Sequence, residues 1–131
     1  MAALAASAAD EAKVVIDRWA AALNSHDAVT VVKLYAPDAT LLATLSPILA
    51  DDPESIQKYF TRLADSGFKV RLGERRSVTL SDTAVMETGF YAFTAMQNGK
   101  PTPLPARFTF VVMKRGSNWM IVHHHSSWRP P

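Results

Sequence analysis

The chain has 131 residues, 48% of them apolar and 20% charged, a composition that fits one globular domain spanning residues 1–131. It has no cysteine, which excludes disulfides, zinc–thiolate centres and thiol catalysis. The net charge of +2 is unevenly spread: residues 1–66 hold five Lys/Arg against nine Asp/Glu, and residues 67–131 hold nine against three. A chain polarised in this way can complement itself, within the fold or between subunits.

The densest basic run is Lys69, Arg71, Arg75 and Arg76. Glu74 interrupts it and no aromatics are interleaved with it, so it reads as a solvated strand and turn, and no nucleic-acid partner is expected. No apolar run approaches the ~20 residues of a membrane span, so no membrane partner is expected either. In the opening "MAALAASAAD", Ala6-Ser7-Ala8 has the small-x-small form of a signal cleavage site, but no charged segment or adequate apolar segment precedes it. A cytoplasmic location is expected, with a chain trimmed inside a targeting peptide as the alternative. Residues 1–9 are expected to be poorly ordered.

Residues 9–24 predict a helix, with Ala12, Val15, Ile16, Trp19 and Leu23 at three- and four-residue spacing. "NSHD" breaks it. Asp27 can cap a second short helix running through Tyr35, which Pro37 ends. "ATLLATL" (39–45) reads as a strand. A third helix starts at Asp52-Pro53, an N-cap followed by Pro at the first position, and ends at Gly67. Everything later reads as strand: 68–72 and 75–80 (or one strand bent at Gly73), 84–96, 106–115 and 119–127, separated by turn residues. Helices gathered before a meander of long antiparallel strands define an α+β fold with helices on one face. The last strands are long enough that they must curl around the helices, making a cone with a cavity at its open end.

"LYAPDATLLATLS" (34–46), "GFYAFT" (89–94), "ARFTFVVMKRGSNWMIVHHHSS" (106–127) and the Trp19 helix occur in this order and spacing in the nuclear transport factor 2-like superfamily. Within it the chain most resembles stand-alone relatives of the calcium/calmodulin-dependent protein kinase II association (hub) domain, over about residues 10–130. The resemblance implies a cone-shaped curved antiparallel sheet, the nuclear transport factor 2-like or cystatin-like roll, wrapped around N-terminal helices. It also implies self-assembly as a homo-oligomer, with dimers as the building block of a stacked ring. The chain carries no kinase domain or regulatory helix, so neither kinase activity nor calmodulin binding is expected. The superfamily also holds isomerases, dehydratases and cyclases that use the cone's cavity, so a small-molecule binder or enzyme is the alternative function.

Three histidines stand together at 123–125. On a strand, strict alternation puts His123 and His125 on the face of Trp119 and Ile121, and His124 on the other with Met120, Val122 and Ser126. A metal would need a third ligand; His26 and Glu87 are the only candidates and no spacing brings them close, so no metal and no cofactor are expected. Arg107 opens the apolar strand "FTFVV", where a guanidinium must be paired or must reach water or an anion. Hub domains hold arginines in their cavity. Two readings of Arg107 stay open: it holds a small carboxylate with His123 or His125 and Tyr91, or it pairs with an acid such as Glu87. Tyr35 and Trp19 complete the candidate pocket. Phe108, Phe110, Val112 and His124 are candidates for an outward apolar surface that an oligomer would cover.

Overall fold

The structure, a computed structural model, describes residues 6–131. Three helices precede a long meander: α1 Ala8–Asn24, α2 Ala28–Lys33, β1 Tyr35–Leu42, β2 Leu49–Ala50, α3 Pro53–Asp65, β3 Lys69–Ser81, β4 Ala84–Gln97, β5 Lys100–Arg115 and β6 Asn118–Trp128. The strands form one curved, unclosed sheet in the order β2-β1-β6-β5-β4-β3, antiparallel except where β1 runs parallel to β6. The α+β roll read from the sequence is the fold observed. The expected disorder of residues 1–9 lies outside the described residues for 1–5, and from Ala8 onward the chain is helical.

Each helix starts at a side-chain cap. Ser7 and Asp10 form a reciprocal capping box on α1, while Asp27 accepts from the Thr30 amide (3.1 Å) and Asp52 from the Ser55 amide (2.7 Å). The caps fix where the apolar stripes begin, so Val15, Ile16, Trp19 and Leu23 of α1 and Ile56, Phe60 and Leu63 of α3 face the sheet and are buried. The far end of α1 is tied to β3 by one side chain: Asn24 donates to the Val70 carbonyl (2.9 Å) and accepts from the Val70 amide (2.7 Å), satisfying edge groups as a neighbouring strand would.

Several boundaries differ from the sequence expectation, each for a backbone reason. Helix α2 stops at Lys33 rather than Tyr35, because the Leu34 carbonyl accepts from the Ile121 amide (2.8 Å) and β1 has begun to pair with β6. Pro37 therefore lies inside β1, at the register break between Tyr35 and Thr40, where no ladder donor is required of it. Strand β5 begins at Lys100 rather than 106. Its Pro101, Pro103 and Pro105 alternate, so all three nitrogens face away from β4, and β6 pairs only from Ala106 onward. The Asn98-Gly99 turn has positive φ at both residues (51° and 74°), as a two-residue type I′ hairpin needs.

The stretches expected at 68–72 and 75–80 form one strand, β3, with a bulge. Leu72 pairs with Tyr91 and Arg75 with Gly89, so β3 carries one residue more than β4 across this step. The bulge drives the β3 backbone into Gly89: a Cβ there would lie 2.2 Å from the Glu74 carbonyl oxygen and 2.7 Å from the Arg75 Cα. Gly89→Ala must move main chain, so it should destabilise the fold by about 2 kcal/mol, at the scale of an overpacked core. Urea unfolding of the two proteins checks this, and a loss below about 0.5 kcal/mol would show that the bulge yields freely.

Candidate functional site

Aromatic rings pack around Trp19 in the interior of the cone. Trp19, fully buried, stacks on Tyr91 (centroids 5.7 Å, 14°) and meets Phe110 and His124 edge-on (5.2 and 5.3 Å). His124 lies flat on Phe110 at 3.9 Å. Aromatic pairs of this kind contribute about 1 kcal/mol each beyond their buried area.

Within this apolar box runs a continuous polar chain. The Tyr35 hydroxyl is 2.8 Å from His124 Nδ1, Tyr91 Oη is 3.1 Å from His124 Nε2, and the Tyr91 hydroxyl donates to Ser126 Oγ at 2.6 Å. Ser126 in turn meets Thr44 Oγ1 at 2.5 Å, in the turn after β1. Because Tyr91 donates to Ser126, its oxygen accepts from Nε2–H, which leaves Nδ1 to accept from Tyr35. Every link then has one donor and one acceptor, and the imidazole is neutral. Burial holds the His124 pKa well below the usual histidine value, and the neighbouring His123 and His125 lower it further. Burial likewise raises the Tyr35 and Tyr91 hydroxyls.

The sequence-predicted residues fall into two groups on opposite faces. Tyr35, Tyr91 and Trp19 are together inside. Phe108, Phe110, Val112 and His124, expected as an outward interface surface, are buried inside with them, none more than 3% exposed. Arg107, His123 and His125 are on the outer face. The reason is a second bulge. Val111 pairs with His123 but Val112 with Ile121, so Val122 is an extra residue in β6 and the alternation flips there. Ile121 before the bulge and His124 and Ser126 after it all point inward. Arg107 does not pair with Glu87. Its Nε donates to Ser127 Oγ (3.1 Å), while buried Glu87 lies against Arg75 (3.7 Å), which also binds Asp17 (2.6 Å). Burial raises the Glu87 carboxyl pKa against the opposing pull of Arg75.

Two surface depressions lie near these groups. One, of about 740 Å3, opens between the β1–β2 loop and α3 over Tyr59, Lys58 and Arg62. The other, of about 910 Å3, is on the outer sheet face and contains Arg76, Phe90, Arg107 and His125. No cluster of three or more His, Cys, Asp or Glu able to hold a metal occurs among the described residues. No helix among them is long and apolar enough to cross a membrane. Ser126, Thr44 and Arg76 were not singled out as site residues from the sequence. Only the paired register reveals them.

A curved sheet around capped helices, with an aromatic interior and a bare outer face, is the nuclear transport factor 2-like roll. The sequence matches the calcium/calmodulin dependent protein kinase II association domain family over residues 8–130, and the chain belongs to that family. It is similar to a calcium/calmodulin dependent protein kinase II association-domain protein of Xanthomonas campestris, at 37% identity and TM-score 0.86, covering 96% of this chain and 94% of that one. More distant structures share the fold alone. One is a nuclear transport factor 2-like protein with a cystatin-like fold from Novosphingobium aromaticivorans (14% identity, TM-score 0.77, 90% and 79% covered). Another is a protein assigned as a dehydratase of the same fold family from Streptomyces avermitilis (10% identity, TM-score 0.83, 95% and 97% covered). No curated protein matches the sequence.

The neutral, buried His124 makes stability depend on pH in one direction. Its folded pKa lies below its unfolded value near 6.5, so its contribution is complete above that pH and is lost as pH falls through 6.5 towards the folded value. His124→Phe should remove that dependence and cost about 1–3 kcal/mol at pH 7.5, by leaving the buried Tyr35 hydroxyl without its acceptor. Urea titrations at pH 7.5 and 5.5 of both proteins check it. Glu87, whose raised pKa acts in the opposite sense, is common to both and drops out of the difference. Equal pH slopes in the two proteins would contradict the assignment.

Proposed function

We propose that this chain is a self-assembling association domain of the cytoplasm, with the outer sheet face as its primary contact and a dimer as its unit. The observation that carries the reading is a half-buried apolar row on the sheet face that no helix covers. The helices gather on the inner side of the sheet, with α1 packed on β3, β4 and β6. On the uncovered side, cross-strand register aligns Val78, Met86 and Val111, with Met113 in the next row. A sheet face of this kind is stable in water when a second copy covers it. The family membership supports the same reading. Growth from dimer to stacked ring needs a second contact, and the β1–β2 hairpin offers one: Leu45, Ile48 and Leu49 are 41%, 56% and 54% exposed at a sheet edge only two residues long.

The alternative is a small-molecule binder or an isomerase- or dehydratase-like enzyme. What favours it is the Tyr35–His124–Tyr91–Ser126–Thr44 chain, which reaches from the core to the turn after β1. A general acid or base must touch substrate, and His124, 2% exposed, is walled in by Trp19 and Phe110. That enclosure ranks catalysis second.

Native mass spectrometry at micromolar concentration tests the assembly. The expected wild-type species is a dimer or larger, and Val111→Glu, which places a charge in the apolar row, should shift it to the single 14.4 kDa chain. A wild-type protein that already runs as a monomer overturns the proposal.

A further inference from the structure

The outer face is divided into two halves of different chemistry. Next to the apolar row lies a row formed by Arg76, Thr88, Thr109 and His125, and beyond it one formed by Phe90, Arg107 and Ser127. These residues line the depression of about 910 Å3. Two β-sheet devices make it concave: the β3 bulge beside Gly73 and the missing side chain at Gly89, which let the sheet bend at this point.

The charge in it is not internally neutralised. Arg75 is held by Asp17 and Glu87. Among the described residues, Arg76 and Arg107 have no carboxylate within salt-bridge distance, and Glu74 is the one acid on the rim. Arg107 is nonetheless positioned, since its Nε donates to Ser127 Oγ at 3.1 Å and its two terminal nitrogens remain free. A third cation packs on the lining residue Phe90: the Arg129 guanidinium lies 3.7 Å from its ring centroid. Hydroxyls of Thr88, Thr109 and Ser127 stand between these cations, with Thr88 and Thr109 at 3.1 Å from each other. A guanidinium held at Arg107, a second one at Arg76, a histidine and hydroxyl groups in one concavity are the elements that bind an oxyanion by charge-assisted, forked hydrogen bonds.

We infer that this depression binds a multivalent oxyanion, a polycarboxylate or a phosphate, with Arg107 and Arg76 as its ligands and His125, Thr109 and Ser127 as supporting donors. The inference extends the reading of Arg107 and His125 as ligand groups and is independent of self-association, because the apolar row lies outside the depression. A single charge would leave one guanidinium uncompensated, whereas two or more negative charges engage both.

Isothermal titration of the full chain at pH 7 and low salt, with citrate in one arm and inorganic phosphate in the other, tests it. Saturable binding of at least one, at one site per chain, is expected, and the tighter of the two identifies the source. Arg107→Gln and Arg76→Gln should each weaken binding tenfold or more with unchanged melting temperature. Val111→Glu, which addresses assembly, should leave binding intact. Absence of binding in both arms, or equal affinity in the Arg76→Gln/Arg107→Gln double variant, overturns the inference. A monomeric protein that still binds citrate would overturn the assembly reading alone.

Discussion

One extra residue in β6 determines what the two faces of this protein are. Had the strand alternated without interruption, Ile121 would have brought His123 and His125 inside and sent His124 and Ser126 out. With Val122 bulged, Val112 still faces Ile121 while Phe110 faces His124, and both pairs are interior. The same step is matched on the other side of β6, where β1 changes register between Tyr35 and Thr40. Tyr35 therefore reaches His124 Nδ1, and Thr40 reaches His123 Nδ1 on the outer face at 2.7 Å. A register shift of one residue moves every later side chain to the opposite side of a sheet. The interior hydrogen-bond chain and the outer basic row are both consequences of that one step.

The interior chain is a constraint on packing. A buried imidazole without partners would cost about 1–3 kcal/mol for each unsatisfied group. Here both nitrogens are engaged, and the partners come from elements distant in sequence: β1, β4 and the turn before β2. A competing packing that slipped β6 against β1 or β5 would strand several polar groups at once. Apolar residues of equal volume would fill the space equally well and would discriminate less between registers. Hub domains place arginines in their cavity, as the resemblance implied. In this chain the positions around Trp19 are aromatic, Arg75 is taken up by Glu87 and Asp17, and Arg76 and Arg107 stand outside on β3 and β5.

The helices and the turns were legible in the sequence, because their signals are local. Asp27, Asp52-Pro53 and Asn98-Gly99 each act within four residues, and each does in the structure what its chemistry predicts. The resemblance also identified the roll. What escaped was non-local. Pro101, Pro103 and Pro105 look like a loop until it is known that β6 ends beside Ala106 and leaves their edge free. Pro37 looks like a helix stop until β1 is paired to β6. Gly73 marked the bend of β3 in the sequence, whereas the β6 bulge at Val122 has no residue signature. Arg107, His123 and His125 therefore share the outer face, whereas Tyr91 and Trp19, assigned to the same candidate pocket, lie on the other side of the sheet.

The outer face then sets two terms against each other. Val111 and Thr109 are two residues apart on one strand, so the apolar row and the basic row are separated by about 7 Å. That is shorter than the ~8 Å over which physiological salt screens charge. On the proposed contact, two copies that bury the apolar row across a two-fold axis bring their Arg76 and Arg107 rows within reach of each other's field, and like charges oppose the approach. Burial of Val78, Met86 and Val111 favours it, at roughly 25 cal/mol per Å2 of apolar surface. The basic depression and the proposed contact row thus adjoin on one sheet face, and the residues of the depression nearest the apolar row include Thr88 and Thr109, whose hydroxyls face each other across β4 and β5.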